Sequence, residues 1–399
     1  MFVEILVAIL LGVLSGCITG LIPGIHVNLI SLLVVSIFTT LSKVFSPLEV
    51  SIFLISLGIT HSFLDVIPSV YLGAPDEATA LLVMPAHKLL LKGQGKLAVM
   101  LATAGGLFSL IFLVILLPLI SKFIVLISNL IQGKVWVILI LVLLFLIFKN
   151  RSIKAKLWAI LLLVLSGSLG LILLNSNSFK NPLHPMLSGL FGVSTILYSL
   201  SASSYFPDQD SRKCFFKVSK VGVIGASIGG FLTGLLPGIS SSIAALFGKV
   251  IFPKIKEIEY ITLIGGSNTA NFFVGLITFF YLNKTRNGVL VGVSSILGKI
   301  DLKIGIILLL VSLISAGFAS ILVIKISNFC SRLLPKINMN TISIFVIFLV
   351  VLTVIIFSNW LGFIVLIIST LIGLLPHYTG MSKSLCMGCI IIPVIFFLI

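Results

Sequence analysis

Acidic side chains are scarce in this chain: ten Asp and Glu stand among 399 residues, against 26 Lys and Arg. Charged residues of both signs make up only 9% of the sequence, where a soluble domain carries about 25%. That deficit excludes an extensive solvated surface. Polar stretches are equally rare. The longest runs from Ser201 to Lys220 and leaves no room for a sizeable soluble domain. Cysteine is sparse and scattered, at Cys17, Cys214, Cys330, Cys386 and Cys389, so no disulfide framework is implied. Cys386-Met-Gly-Cys389 has metal-like spacing but no second pair, and buried structural thiols are the preferred reading. No metal centre or other cofactor is expected. The opening Met-Phe-Val-Glu lacks a basic stretch, so the first apolar run is expected to be retained rather than cleaved.

What is abundant is apolar. Hydrophobic residues make up 59% of the chain. Runs of the roughly 17–25 residues needed to cross a bilayer recur along its length. The expectation is an all-α integral membrane protein, multi-pass in the cell membrane, with about ten spans plus shorter broken segments. The net charge of +16 fits the positive-inside rule and attraction to anionic membrane lipid. It is also compatible with an anionic substrate. Nucleic-acid binding is not expected, because the basic residues sit between spans and no soluble module presents them. Pairs of spans separate the basic loops at 88–96, 149–156 and 212–220, which places all three on one side, the cytoplasm.

The decapeptide Gly16-Cys-Ile-Thr-Gly-Leu-Ile-Pro-Gly-Ile25 returns as Gly230-Phe-Leu-Thr-Gly-Leu-Leu-Pro-Gly-Ile239, with seven of ten positions identical. Each copy ends an apolar segment with Pro-Gly and then resumes an apolar run. Proline removes a backbone donor and glycine permits the turn, so a helix stops there inside the membrane region. Matched breaks in two halves are the signature of a two-repeat transporter, with the site where the helices break. The expected organisation is a transmembrane repeat over 1–200, a polar linker over 201–220 and a second repeat over 221–399. The repeats are read as inverted, with broken helices or re-entrant hairpins. Helices restarting after each break would aim their N-terminal amides at an anion. The candidate substrate-binding residues are therefore Pro23, Gly24, His26, Asn28, Pro75, Pro237, Gly238, Ser240 and Ser241. A kinked helix without a ligand is the bland alternative.

Three of the ten acids, Asp65, Asp76 and Glu77, fall close together in Thr60–Glu77. Acids at membrane depth are costly and are functional by default. Asp65 is the most embedded in apolar sequence and is the preferred coupling residue. A structural pair with His61, four residues before it, is an equal alternative. Asp76 and Glu77 could instead cap a helix starting at Ala78. Asn268 and Asn271, three apart on one helical face, could coordinate a cation or serve interhelical packing. The candidate ion-coupling set is Asp65, Asp76, Glu77, Asn268 and Asn271.

Taken together, these segments resemble the TctA family, the large membrane subunit of the tripartite tricarboxylate transporters. The resemblance rests on Gly20-Leu-Ile-Pro-Gly24, Pro75-Asp-Glu77 with Ala78-Thr-Ala80, and Met84-Pro-Ala-His-Lys88 with Lys92-Gly-Gln-Gly-Lys-Leu-Ala98. In the second half it rests on Gly234-Leu-Leu-Pro-Gly238 and Asn268-Thr-Ala-Asn271. The family's proline–glycine–glutamate turn reads Pro75-Asp76-Glu77 here, and Asp65 is inserted into its glycine–glycine–serine stretch. The resemblance implies an ion-coupled permease that works with a small membrane subunit and an extracytoplasmic binding protein.

The reading is a secondary active transporter for a small organic anion, a carboxylate by class, coupled to H⁺ or Na⁺; a homodimer is an open possibility. An anionic lipid carrier, such as a polyprenyl-phosphate translocase, is the second transporter reading. An intramembrane enzyme using His61 and Asp65 is the rival from another class. No serine, cysteine or metal-ligand set stands at catalytic spacing to support it.

Overall fold

The computed structural model describes residues 2–22, 27–131, 133–176, 178–179, 181–201, 208–209, 217–235, 241–336 and 339–399. Among these every regular element is helical. α1 (Phe2–Leu21), α2 (Val27–Ser36) and α3 (Phe38–Leu41) lead to α4 (Pro47–Leu64). α4 continues past a turn at Asp65 into a π-helical segment, Pro68–Leu72, and stops at Gly73, whose φ of +64° suits glycine. α5 (Val83–Leu90), α6 (Gly95–Ile115), α7 (Leu117–Ile131), α8 (Val135–Phe148) and α9 (Ile153–Leu174) follow. α10 (Leu183–Leu187) and α11 (Ser194–Ser201) are joined by a second π-helical segment, Ser188–Val193. Then come α12 (Lys220–Leu235), α13 (Ser241–Ile251), α14 (Glu257–Leu282), α15 (Gly288–Leu297), α16 (Leu302–Leu333) and α17 (Met339–Thr379). A 3₁₀ segment, Lys383–Met387, leads into α18 (Gly388–Leu398).

Seven helices among the described residues are long and apolar enough to cross a membrane; α7 and α8, bent by 86°, would form an eighth. The residues expected to span at 183–200 form an apolar helix shorter than a bilayer crossing needs, interrupted by its π-segment. The pair of helices expected at 341–358 and 361–375 is present: α17 is two helices that meet at a kink at Asn359, where φ is +60° and ψ −172°.

Burial ranks the spans. α4 with its π-extension and α14 are 94% and 89% buried, whereas α17 is 28% buried. The first two are therefore the centre, apolar on nearly every face. α17 presents Phe345, Phe348, Ile356 and Trp360 outward, where lipid replaces water. α4 starts at a capping box: Glu49 N donates to Ser46 Oγ (3.3 Å), Ser46 N donates to Glu49 Oε2 (3.0 Å), and Pro47 occupies the first turn.

Small residues set how the centre is assembled. A Cβ at Gly16 would stand 2.6 Å from the Leu57 carbonyl oxygen, and one at Gly20 would stand 2.6 Å from the Leu64 Cβ. α1 thus lies backbone-to-backbone on α4, in register Gly12 with Ser56, Gly16 with Thr60 and Gly20 with Leu64, so the two run in the same direction. α12 lies on α14 in the same manner. Gly222 meets Thr262, Gly230 meets Ala270, and a Cβ at Gly234 would stand 2.7 Å from the Val274 Cβ. α13 returns along α12, with Gly229 against Ala244 and Gly225 against Gly248, so α12 and α13 form an antiparallel hairpin. Between the two centres the direction reverses. Gly58 faces Phe272 while Ser62 and Asp65 face Asn268, so α4 and α14 run in opposite directions.

Candidate functional site

α4 and α14 cross where each has placed its polar residues. Asp65 caps the C-terminal end of α4 and is 3% exposed. Asn268, near the middle of α14, donates through Nδ2 to Asp65 Oδ2 (2.8 Å) and to the Ser62 carbonyl (3.2 Å). Ser241 at the start of α13 donates to Asn268 Oδ1 (3.2 Å). One carboxylate thus joins the first-half helix to two second-half helices. Its other oxygen, Oδ1, is buried and has no hydrogen-bond partner.

Beside this pair lies the His61 cluster. His61 Nε2 donates to Asp76 Oδ2 (3.2 Å), and His61 Nδ1 lies 3.1 Å from Thr19 Oγ1 on α1. The expected alternative, a His61–Asp65 pair four residues apart, is therefore corrected: the histidine turns to Asp76. The chain reaches that position because Gly73 ends the π-segment and the following residues come back along it. Ser69 Oγ donates to the Asp65 carbonyl (2.7 Å) and stands 2.6 Å from Thr79 Oγ1, which accepts from Asp76 N (3.1 Å). Asp76 and Glu77 do not start a long helix at Ala78; Glu77–Thr79 is a single 3₁₀ turn, and the Asp76 side chain serves His61. A cavity of about 10 Å³ sits between Thr19, His61, Asp65, Pro68, Ala74 and Asp76. That is close to the room one water needs.

The second half repeats the first contact. Asn271 Nδ2 donates to Thr233 Oγ1 (2.9 Å), as His61 meets Thr19. Both threonines belong to the repeated decapeptide. α1 ends beside His61 and Asp65, and α12 ends beside Asn271 and Val274. The breaks themselves, Pro23, Gly24 and His26 in the first half and Pro237, Gly238 and Ser240 in the second, lie outside the described residues. So does most of the linker at 201–220.

Other sequence candidates lie elsewhere. Asn28 packs against Gly288 at the start of α15, where Ser31 Oγ also donates to the Gly288 carbonyl (3.1 Å). Pro75 is buried against Gly192 of the second π-segment. One residue missed by sequence reasoning is Arg286. It follows α14 on a segment that turns back, so that its Cβ stands 3.7 Å from the Cβ position of Gly275, one turn beyond Asn271. It makes no ion pair among the described residues, and its Nε is buried without a partner. Lys284 and Arg286, in a segment otherwise read as a break, were the available signal.

The model of the tripartite tricarboxylate transporter TctA family matches residues 6–388. The chain belongs to the TctA family. This TctA member is 30% identical over 357 residues to an uncharacterized protein of Methanocaldococcus jannaschii, a match covering 86% of this chain and 87% of the relative. No solved structure matches. Family and spans together make the TctA chain a multi-pass membrane protein of a transporter family.

Proposed function

We propose that this chain is the permease of an ion-coupled secondary transporter for a small organic anion, a carboxylate by class, with Asp65 as the site that binds H⁺ or Na⁺. The observation that carries the reading is the Asp65–Asn268 bridge. It ties α4 to α14 across the two halves and leaves one buried carboxylate oxygen open beside an ion-sized cavity. An ionised carboxylate so placed is costly, and a proton or cation relieves the cost. Binding there changes what α4 and α14 can do relative to one another, which is what coupling requires.

The opposite directions of α4 and α14, each paired with a same-direction glycine helix, support reading the halves as inverted repeats. The anion site then falls at the two breaks. Pro23, Gly24, His26 and Asn28 belong to one side, and Pro237, Gly238, Ser240 and Ser241 to the other, with Pro75 on the returning first-half segment. Arg286, which has no carboxylate partner among the described residues, adds a contact suited to a substrate carboxylate. The family description supports a small membrane subunit and a binding protein as partners.

The test is uptake into proteoliposomes. Asp65→Asn is expected to abolish uptake driven by an imposed H⁺ or Na⁺ gradient while leaving substrate binding partly intact. Wild-type gradient-driven uptake by Asp65→Asn would remove Asp65 from coupling.

A further inference from the structure

A second cavity, of about 340 Å³, lies away from the Asp65–Asn268 bridge. Its size falls within the range of small-molecule sites, roughly 300–1,000 Å³. Four elements bring lysines to it: Lys88 from α5, Lys149 after α8, Lys249 from α13 and Lys383 from the 3₁₀ segment before α18. Its one acidic lining residue, Glu257, is engaged with Lys88 at 2.8 Å. Lys149, Lys249 and Lys383 have no carboxylate partner among the described residues.

These lysines are not all loose surface side chains. Lys383 is 3% exposed, and its Nζ donates to the carbonyls of Leu190 (3.3 Å) and Phe191 (3.1 Å), to Ser194 Oγ (2.9 Å) and to Thr195 Oγ1 (2.5 Å). Those four acceptors take up its three N–H donors, and burial pulls the ammonium down to about 7. Lys249 stands 4.3 Å from the centre of the Tyr260 ring. Tyr260 is 8% exposed, and its hydroxyl is buried beside Ser384. Burial and the Lys383 charge hold the His87 imidazole, on the short α5, down to about 4, so it stays neutral here.

We propose that this cavity binds a small oxyanion of two or more negative charges, held by Lys149 and Lys249 beside the buried Lys383, with Ser384 as a neutral donor. Such a group offsets the charges that Lys149 and Lys249 bring together without a carboxylate partner among the described residues. A monovalent anion leaves the excess charge in place. The oxyanion can be a free polycarboxylate or phosphate, or the phosphate of a lipid headgroup. The inference does not rest on the coupling role of Asp65.

Site-resolved protection tests it. The purified protein is treated with an amine-acetylating reagent, and the modification rates of Lys149 and Lys249 are read by mass spectrometry. Citrate, pyrophosphate and dihexanoyl phosphatidic acid are the probes, with sodium chloride at matched ionic strength as the reference. Protection by citrate or pyrophosphate supports a free oxyanion, and protection by the short-chain lipid alone supports a headgroup. No protection beyond that given by chloride overturns the proposal. In direct titration the Lys149→Gln/Lys249→Gln variant is expected to bind the protecting probe at least about tenfold more weakly, as loss of charge-assisted hydrogen bonds implies. Unchanged affinity in that variant also overturns it. The wild-type protection result stands whether or not the variant folds.

Discussion

Asp65 and Asn268 show how much one buried pair can decide. The carboxylate is nearly inaccessible, and one of its oxygens depends on the Asn268 amide at 2.8 Å. Removing that donor leaves a second oxygen unsatisfied, at a cost of about 1–3 kcal/mol. Asn268→Ala is therefore expected to lower the thermal unfolding temperature in detergent and to shift the H⁺ or Na⁺ concentration giving half-maximal uptake. Unchanged ion dependence would limit Asn268 to packing. Arg286 makes a separate case. If it holds a substrate carboxylate, Arg286→Gln raises KM for uptake about tenfold or more, and Arg286→Lys recovers part of the loss because it keeps the charge but not the planar fork. A wild-type KM in the Gln variant would exclude that contact.

At the scale of elements, the paired helices depend on glycine because their backbones touch. A side chain at Gly16 must displace the Leu57 carbonyl, which lies 2.6 Å from where its Cβ would be. That carbonyl belongs to a rigid, almost wholly buried helix and cannot yield like a flexible side chain. Gly16→Val is expected to destabilise the protein by about 3 kcal/mol or more, beyond the usual range for overpacking. Gly317, with nothing within 4 Å of its Cβ position, is the control. Gly317→Ala is expected to change stability by less than about 1 kcal/mol, toward greater stability, since alanine favours the helix interior. Equal loss in both variants would show that close approach is not the cause. The two π-segments sit beside these contacts. The first carries Ser69 to the Asp65 carbonyl, and the second packs on Pro75 and offers carbonyls to Lys383. Each widened turn frees backbone groups that local side chains then take up.

At the scale of the whole molecule, the directions of α4 and α14 fix the sidedness of the loops. Lys43 precedes α4, and Lys256 precedes α14, which runs the opposite way. Single cysteines at Lys43 and Lys256 in an otherwise cysteine-free protein are expected to react with a membrane-impermeant maleimide from opposite faces. Reaction from one face would require a parallel duplication. The side bearing Lys256 also holds the Lys88–Glu257 pair, Lys149 at the basic cavity and Gln209, which accepts from Gly95 N at 2.9 Å. Loops that the charge pattern assigned to a common side thus meet there, with the 149 loop and the described part of the linker beside the 88–96 loop.

Composition and periodicity alone determined that the chain is helical and lives in a membrane, because burying so much apolar surface with so few charges has no soluble solution. The repeated Gly-x-x-Thr-Gly also carried its own packing. Glycines four apart allow close helix contact, and in the fold the threonines beside them meet His61 and Asn271. Asp65, Asp76, Asn268 and Asn271 were recognisable as candidates because polar groups at membrane depth need a reason. Hydropathy could not count the spans, since a broken helix and a crossing helix have the same composition; Leu183–Ser201 was read as a span for that reason. Nor could it pair the side chains. Whether His61 meets Asp65 or Asp76 depends on where Gly73 turns the chain, and the union of Asp65 with Asn268 depends on two helices crossing across some two hundred residues of sequence. The basic cavity is decided the same way, because Lys88, Lys149, Lys249 and Lys383 belong to four segments that only the packed fold brings to one place.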